Sequence, residues 1–309
     1  MNTILGILVF CIVLFIYIHI YYHLKKCDDL EIYEIEQPSK ERLEEICDLR
    51  QPVIFDFNIE QISESSCLKN IKENYGAFDV KVRNVKENDE NSSLYVPVAL
   101  SSASTAFQGD KEAKFLSENN EEFLEETSII KHLRYNDAFL RPYMVSKCMY
   151  DIIFGSNKVE TPFRFELNYR NYFTITQGEA IIKIAPPKSS RYLYPIYDYD
   201  TFEFKSPINP WNVQQQYRSD FNKIKCLEYR LKPGYVMFIP AYWWYSIKLD
   251  EDSSICSFKY RTYMNTLSIL PHLIMSFLQT QNTKHTVAPI IKNNNLEKEE
   301  NNNEKKNEN

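Results

Sequence analysis

Positive charge, glycine and paired cysteines are all in short supply in this chain of 309 residues. The formal net charge is -6 and the pI is near 5.6, which argues against nucleic acid as an electrostatic partner. The seven cysteines form no CxxC pair and show no metal-ligand spacing, so they indicate reduced thiols rather than a disulfide framework. Only 6 residues are glycine, whereas 22 are tyrosine and 19 are phenylalanine, and this balance favours strands as the main framework.

The first 26 residues predict a transmembrane anchor. Residues 4–22 are apolar almost without a break, which is long enough for a helix to cross a bilayer. A cleaved signal peptide would need a basic start, a shorter apolar core and a small-residue cleavage site, and none is visible. A buried core helix is the alternative, but no polar face interrupts the run. Lys25 and Lys26 follow at once, so the positive-inside rule predicts a single-pass protein with a cytosolic C-terminal domain.

The rest of the chain divides into a polar linker, a barrel domain, a C-terminal helical segment and a disordered tail, at 27–40, 41–265, 266–291 and 292–309. Residues 267–278 form an apolar helix that is too short to span a bilayer. This helix either covers the end of the barrel or provides a homodimer face. The tail cannot bury apolar surface, and its Asn, Lys and Glu suggest an AT-rich genome, such as that of a large DNA virus or a protist. The membrane would then be a viral or a host-cell membrane.

The central stretch of the chain, residues 229–249, reads YRLKPGYVMFIPAYWWYSIKL. Its two apolar runs are separated by Pro240 and predict a strand pair from a β-barrel. Two further strands are predicted at 172–176 and 180–185, with Gln177-Gly178 as a hairpin turn. Acidic residues dominate 113–132, which predicts a helix with a solvated face.

Four motifs occur in a characteristic order: Arg50-Gln-Pro-Val-Ile54, Thr161-Pro162, Asn171-Tyr-Phe-x-x-x-x-Gly178, and 231–240 followed by Tyr242-Trp-Trp244. Together they resemble the cupin-like JmjC family, the oxygenases that use Fe(II) and 2-oxoglutarate. The likeness lies nearest the branch that includes the asparaginyl and lysyl hydroxylases, and it covers roughly residues 39–265. It implies a mainly β fold, a double-stranded β-helix (cupin or jelly-roll) barrel with flanking helices, here preceded by the transmembrane helix.

Such enzymes hold iron with His-x-Asp from one strand and a second His from a later strand. Residues two apart on a strand point to the same side, so both ligands of the first motif enter the barrel. Aligned on Thr161-Pro162, the His-x-Asp position reads Arg164-Phe165-Glu166. Aligned on Asn171 and Gly178, it reads Phe165-Glu166-Leu167. We prefer the first alignment, because Arg164 and Glu166 then face inward as a polar pair.

The later family positions also depart from the pattern. Tyr245 stands where the resemblance places the second histidine, and Ala180 where it places the lysine that binds the oxoacid. The five histidines lie in or beside the membrane span or away from the motif strands. A guanidinium is permanently cationic, and a neutral phenol is a poor ligand for Fe(II). We therefore predict no metal and no cofactor, and a catalytically inactive binding or scaffold module.

The alternative is an Fe(II)/2-oxoglutarate-dependent protein hydroxylase with unusual ligands. If the domain is inactive, two arrangements are open. Arg164, Glu166 and Tyr245 satisfy one another, or Arg164 and Tyr245, together with Lys183 or Asn171, form a recognition site for an anion or for a protein or peptide partner. Six further residues are candidates for the wall of the pocket: Thr161, Asn171, Ala180, Lys183, Trp243 and Trp244.

Overall fold

The computed structural model describes residues 2–57, 60–86 and 95–281, so the tail predicted at 292–309 lies outside the described residues. The helices are α1 (Asn2–Leu24), α2 (Lys40–Cys47), α3 (Glu60–Ser66), α4 (Leu68–Tyr75), α5 (Leu100–Gly109), α6 (Glu121–Glu126), α7 (Ile129–Asn136), α8 (Ser190–Leu193), α9 (Arg218–Phe221), α10 (Tyr263–Ser268) and α11 (Leu270–Thr280).

The strands are β1 (Tyr33–Ile35), β2 (Val53–Asp56), β3 (Asp79–Asn84), β4 (Val96–Ala99), β5 (Phe115–Ser117), β6 (Val145–Gly155), β7 (Arg164–Phe165), β8 (Arg170–Gln177), β9 (Ala180–Ala185), β10 (Ile196–Asp198), β11 (Glu203–Lys205), β12 (Leu227–Leu231), β13 (Tyr235–Phe238), β14 (Trp244–Leu249) and β15 (Ser254–Thr262).

These strands form a nine-stranded sheet, in the order β1-β2-β13-β8-β15-β6-β5-β3-β4, and a six-stranded sheet, in the order β10-β11-β7-β14-β9-β12. Consecutive strands of the second half alternate between the sheets: β12 lies in the smaller sheet, β13 in the larger, β14 in the smaller and β15 in the larger. A chain that winds between two facing sheets in this way is a double-stranded β-helix. The predicted fold class is confirmed.

The two apolar runs of the central stretch are strands, but they do not pair with each other. β13 pairs with β2 and β8, whereas β14 pairs with β7 and β9. The hairpin predicted at Gln177-Gly178 is wrong for the same reason, because β8 and β9 lie in different sheets. Gly178 has φ +70°, and a Cβ there would lie 2.8 Å from the Cα of Ser253. The turn is therefore a close-packed corner between sheets.

Strands of the larger sheet are buried on both faces. Tyr172 and Phe238 point outward into a core shared with the helices, and the adjacent Phe173 and Met237 point inward between the sheets. Leu43 of α2 and Leu133 of α7 belong to the outer core. Burial on both faces explains why these strands are continuous apolar runs and not alternating ones.

The helix predicted at 113–132 is wrong in its first part. Phe115–Ser117 forms strand β5 between β3 and β6, and helices begin only at Glu121 and Ile129. The apolar Phe115 and Leu116 find partners in the sheet, and this tertiary pairing overrides the local helical preference of the acidic residues.

The C-terminal end of α1 is packed onto the barrel domain. Arg50, itself buried, donates hydrogen bonds to the carbonyl oxygens of Tyr22 and His23 at 3.2 and 3.4 Å. The backbone carbonyl of Arg50 in turn accepts a bond from the indole of Trp243 at 3.0 Å. Arg50 therefore links the last carbonyls of α1, which have no partner within the helix, to the barrel core.

Candidate functional site

Arg164 and Tyr245 lie directly opposite each other on the antiparallel strands β7 and β14. Both side chains are buried, and the guanidinium carbon lies 5.4 Å from the centre of the phenol ring. Directly opposed residues in such a pair have Cβ atoms roughly 4.5–5.5 Å apart. The two positions are thus close enough to share one ligand or one network.

Arg164 belongs to a buried network of two guanidiniums and two carboxylates. It contacts Glu118 at 2.6 Å and Glu203 at 3.4 Å, and Arg83 contacts the same two acids at 2.5 and 3.1 Å. Tyr95 donates a further hydrogen bond to Glu118 at 3.2 Å. The formal charges of the four ionic groups cancel, which is how a protein accommodates charges that water does not solvate.

The titration of the two acids follows from this arrangement. Burial alone would raise the pKa of Glu203, but Arg83 and Arg164 overcome that effect and lower its pKa to about 2. Burial also acts to raise the pKa of Glu118, and Arg164 and Arg83 again bring it below its usual value. Both acids are therefore ionised at neutral pH and hold the guanidiniums in place.

Glu166 forms a second, adjacent cluster. Its carboxylate accepts hydrogen bonds from the Tyr245 hydroxyl at 3.0 Å, from the Lys259 ammonium at 2.7 Å and from the Asn168 amide at 3.2 Å. Burial raises the pKa of Tyr245 well above its usual value despite the nearby Arg164, so the phenol stays protonated and acts as a donor.

The expected mutual pairing of Arg164, Glu166 and Tyr245 is therefore met only in part. Tyr245 does bind Glu166, but the ion partners of Arg164 among the described residues are Glu118 and Glu203. Glu166 takes Lys259 as its cation.

A cavity of about 650 Å³ opens beside both clusters, and charged side chains of both signs line it: Glu118, Arg164, Glu166, Glu203, Lys259 and Arg261. Leu273 and Ser276 of α11 form part of its edge. A volume of this size holds a small molecule or a few residues of a peptide.

Asp151 lines the same cavity and is buried. It accepts hydrogen bonds from the backbone N–H groups of Asn119 and Asn120 at 2.8 and 2.7 Å. Burial outweighs these bonds and the positive charge of Lys259, and it raises the pKa of Asp151 from 3.8 to about 6. Asp151 is therefore the group of this cavity that changes charge under mildly acidic conditions.

This shift makes stability depend on pH in a definite direction. Because the folded state holds the Asp151 proton more tightly, its contribution to stability is complete below pH 3.8 and is lost as the pH rises through 6. We expect the wild type to lose about 2 to 3 kcal/mol relative to Asp151→Asn between pH 3.8 and 7, measured by urea unfolding.

Asp110→Asn is the matched control for that measurement. Hydrogen bonds from Ser156 and from backbone N–H groups outweigh burial and lower the pKa of Asp110. The wild type should therefore gain stability relative to this variant as the pH rises toward 3.8, and the difference should then stay nearly constant up to pH 7. A stability difference for Asp151→Asn that stays constant with pH would contradict the assignment.

The comparison with protein families decides the identity of the domain. A model described as the cupin-like domain matches residues 56–266, well over half of the chain. The chain belongs to the cupin-like domain family. No curated protein matches the chain.

Iron, which the resemblance to cupin-like oxygenases implies, does not fit the residues of this cupin-like barrel. The inward positions supply a guanidinium, a phenol and one carboxylate, and that carboxylate already binds Lys259, Tyr245 and Asn168. Within the described ranges, no group of three or more His, Cys, Asp and Glu side chains is arranged to hold a metal ion. The histidines of the described residues lie on α1, α7 and α11, and His285 lies outside them.

The six other pocket candidates lie around the cupin-like barrel and not along the wall of this cavity. Lys183 contacts Glu228 at 2.9 Å and the Pro210 carbonyl at 3.0 Å on the outer side of β9. Trp243 lies in the core between the sheets, and Trp244 packs on Phe165 and donates to Ser190 at 2.8 Å.

The remaining three are buried backbone-supporting positions. Thr161 accepts a hydrogen bond from the backbone N–H of Ile247 at 2.8 Å. Asn171 donates to the carbonyl of Ile239 at 3.1 Å, and Ala180 lies opposite Leu249 in the smaller sheet. Lys183 and Asn171 therefore do not join Arg164 in one anion site.

Glu118, Glu203, Arg83 and Lys259 are the site residues that sequence reasoning missed. Their positions come from strand pairings across the fold: β11, which carries Glu203, lies next to β7, and β15, which carries Lys259, lies next to β8. Only Lys259 had a local signal, because it stands in an apolar strand where a charged residue between Phe258 and Tyr260 needs a partner.

Proposed function

We propose that this protein is a membrane-anchored cupin-like module that binds a protein or peptide partner and does not carry out iron-dependent oxygenation. The observation that carries the proposal is that Arg164 and Tyr245 are engaged with acids of the protein itself, the buried Glu118 and the partly buried Glu166. Groups that neutralise one another in this way are not available as metal ligands. The open, mixed-charge cavity beside them supports binding of a polar ligand.

An Fe(II)/2-oxoglutarate hydroxylase with atypical ligands is the competing function. The test uses the full chain purified in detergent, loaded anaerobically with Fe(II) for metal analysis and then given 2-oxoglutarate in air, because the conversion of 2-oxoglutarate to succinate consumes dioxygen. We expect substoichiometric iron by elemental analysis and no succinate release above a blank. Stoichiometric iron together with turnover of 2-oxoglutarate would overturn the proposal.

The membrane part of the proposal rests on α1. The segment Thr3–Leu24 is long and apolar enough to cross a bilayer, and none of its most apolar window is buried in the protein. A signal sequence passes the same test of length and composition. The bonds from Arg50 to Tyr22 and His23, and the Lys26 ammonium 4.4 Å from the ring centre of Tyr242, favour a retained anchor, because cleavage would remove contacts that the folded domain makes.

Lys25 and Lys26 at the end of this segment support a cytosolic position for the barrel. Protease added to sealed microsomes should therefore digest the barrel domain, and a glycosylated or protected domain would place it on the other side.

A further inference from the structure

Helix α11 presents its apolar side chains outward. Leu270, Ile274, Phe277 and Leu278 recur at helical spacing on one face and are 42, 49, 64 and 56 % exposed. Two polar side chains in the middle of the helix face the protein instead: Ser276 donates to the carbonyl of Tyr199 at 2.9 Å, and the His272 ring lies 3.1 Å from the Tyr199 hydroxyl. This is the reverse of the pattern of a helix on a water-exposed surface.

Helix α11 begins beside the C-terminal end of the apolar helix α1. Helix α10, which directly precedes α11, packs against α1. Leu273 of α11 and Tyr242 pack against the same hydrophobic cluster, and the ammonium of Lys26, two residues past α1, lies 4.4 Å from the ring centre of Tyr242. Tyr263, at the start of α10, is also exposed. The outward apolar face is therefore continuous with the site where α1 leaves the domain.

We propose that α11 lies in the boundary between headgroups and acyl chains of the bilayer leaflet that α1 enters. The inference rests on the proposed membrane anchorage. Helix α11 has no Asp, Glu, Lys or Arg, and its one histidine, His272, faces Tyr199 of the protein, so the outward face can enter this layer without burying a charge. His272, Ser276 and Thr280 already have hydrogen-bond partners in the protein, and the outward stripe of Leu270, Ile274, Phe277 and Leu278 is apolar.

A second copy of the chain is a poorer occupant for this face. Eleven residues give a helix of about 17 Å, and its outward stripe covers a few hundred Å² at most. A stable dimer needs roughly 800 Å² from each partner. Contact with a lipid leaflet does not require this buried area, because α1 already holds the outward face of α11 at the membrane.

The inner side of α11 borders the mixed-charge cavity. Leu273 and Ser276 line its edge from the inner side of the same helix. With the outer side of α11 in the leaflet, a ligand of the cavity is held close to the membrane surface.

Quenching by brominated lipid tests this placement in the full chain. Phe277→Trp adds a reporter at an exposed position, and Tyr135→Trp, on α7 and 86 % exposed, is the matched control. Helix α7 packs against α3 and α6, away from α1. Both variants are reconstituted into phosphatidylcholine vesicles with bromine at the 6,7 positions, and the wild-type emission of Trp211, Trp243 and Trp244 is subtracted.

We expect bromolipid to quench the added emission at position 277 at least about threefold more than that at position 135. Equal quenching at the two positions overturns the proposal. So does a reporter at 277 that is shielded from both bromolipid and aqueous iodide, since a second copy or the segment 282–309 would then cover the face. Resistance to alkaline carbonate extraction reports α1 separately, so loss of anchorage and loss of α11 insertion are distinguishable.

Discussion

Replacement of Arg164 by alanine should lower the free energy of unfolding by about 3–5 kcal/mol, because it leaves the buried Glu118 and the largely buried Glu203 to share one guanidinium. Removing one partner of a buried ionic network costs far more than the network contributes, since the orphaned charge has no water to solvate it. Urea unfolding of the full chain in detergent, followed by tryptophan emission, measures the loss.

Lys183→Ala is the matched control, because Lys183 pairs with the exposed Glu228 and should cost less than about 1 kcal/mol. A rescue variant sharpens the result. Glu118→Gln in the Arg164→Ala background should recover part of the loss, because it removes the uncompensated charge. An unfolding midpoint for Arg164→Ala equal to that of the wild type would show that the network does not stabilise the fold.

The double substitution Arg164→His and Tyr245→His should create a metal site that the wild type lacks. The two positions face each other across β7 and β14, and Glu166 stands two residues beyond Arg164. Two imidazoles and a carboxylate on one face form the ligand set that holds divalent transition metals. We expect Co²⁺ to bind roughly 100-fold more tightly than to the wild type, equivalent to about 2.7 kcal/mol. The bound cation also returns positive charge to the neighbourhood of Glu118.

Calorimetric titration and the visible absorption of Co²⁺ measure this gain. The Arg164→His and Tyr245→His single variants should bind more weakly than the pair, and adding Glu166→Ala should remove binding by the pair. A folded double variant with the Co²⁺ affinity of the wild type would mean that these three positions do not converge on one point.

The two strands of the central stretch could be predicted from the sequence because each carries its own signal. Residues 235–239 and 242–247 are apolar on both faces and rich in residues that favour strands, whatever they pair with. Their partners could not be predicted in the same way. β13 pairs with β8, some 60 residues earlier, and no local pattern encodes that choice.

The candidate site also contains residues that could be located from local sequence patterns and residues that could not. Arg164 and Tyr245 could be located because the family motifs flank them, but the acids that neutralise Arg164 lie 46 and 39 residues away along the chain. With 42 acidic residues in the sequence, nothing local marks Glu118 or Glu203. The outward direction of Lys183 was readable, since it alternates with the buried Ile182 and Ile184 on one strand.

Arg50 connects helix α1 directly to the barrel. Its guanidinium donates hydrogen bonds to two carbonyls at the end of α1, and its own carbonyl accepts a hydrogen bond from the indole of Trp243 inside the barrel. A domain on a flexible linker would not respond to the tilt of the helix. Here the contacts of Arg50 couple the tilt of α1 to the orientation of the barrel. In the proposed membrane-anchored state, the tilt of α1 follows the thickness of the hydrocarbon layer, so we expect a thicker or thinner membrane to change the orientation of the barrel mouth without any ligand.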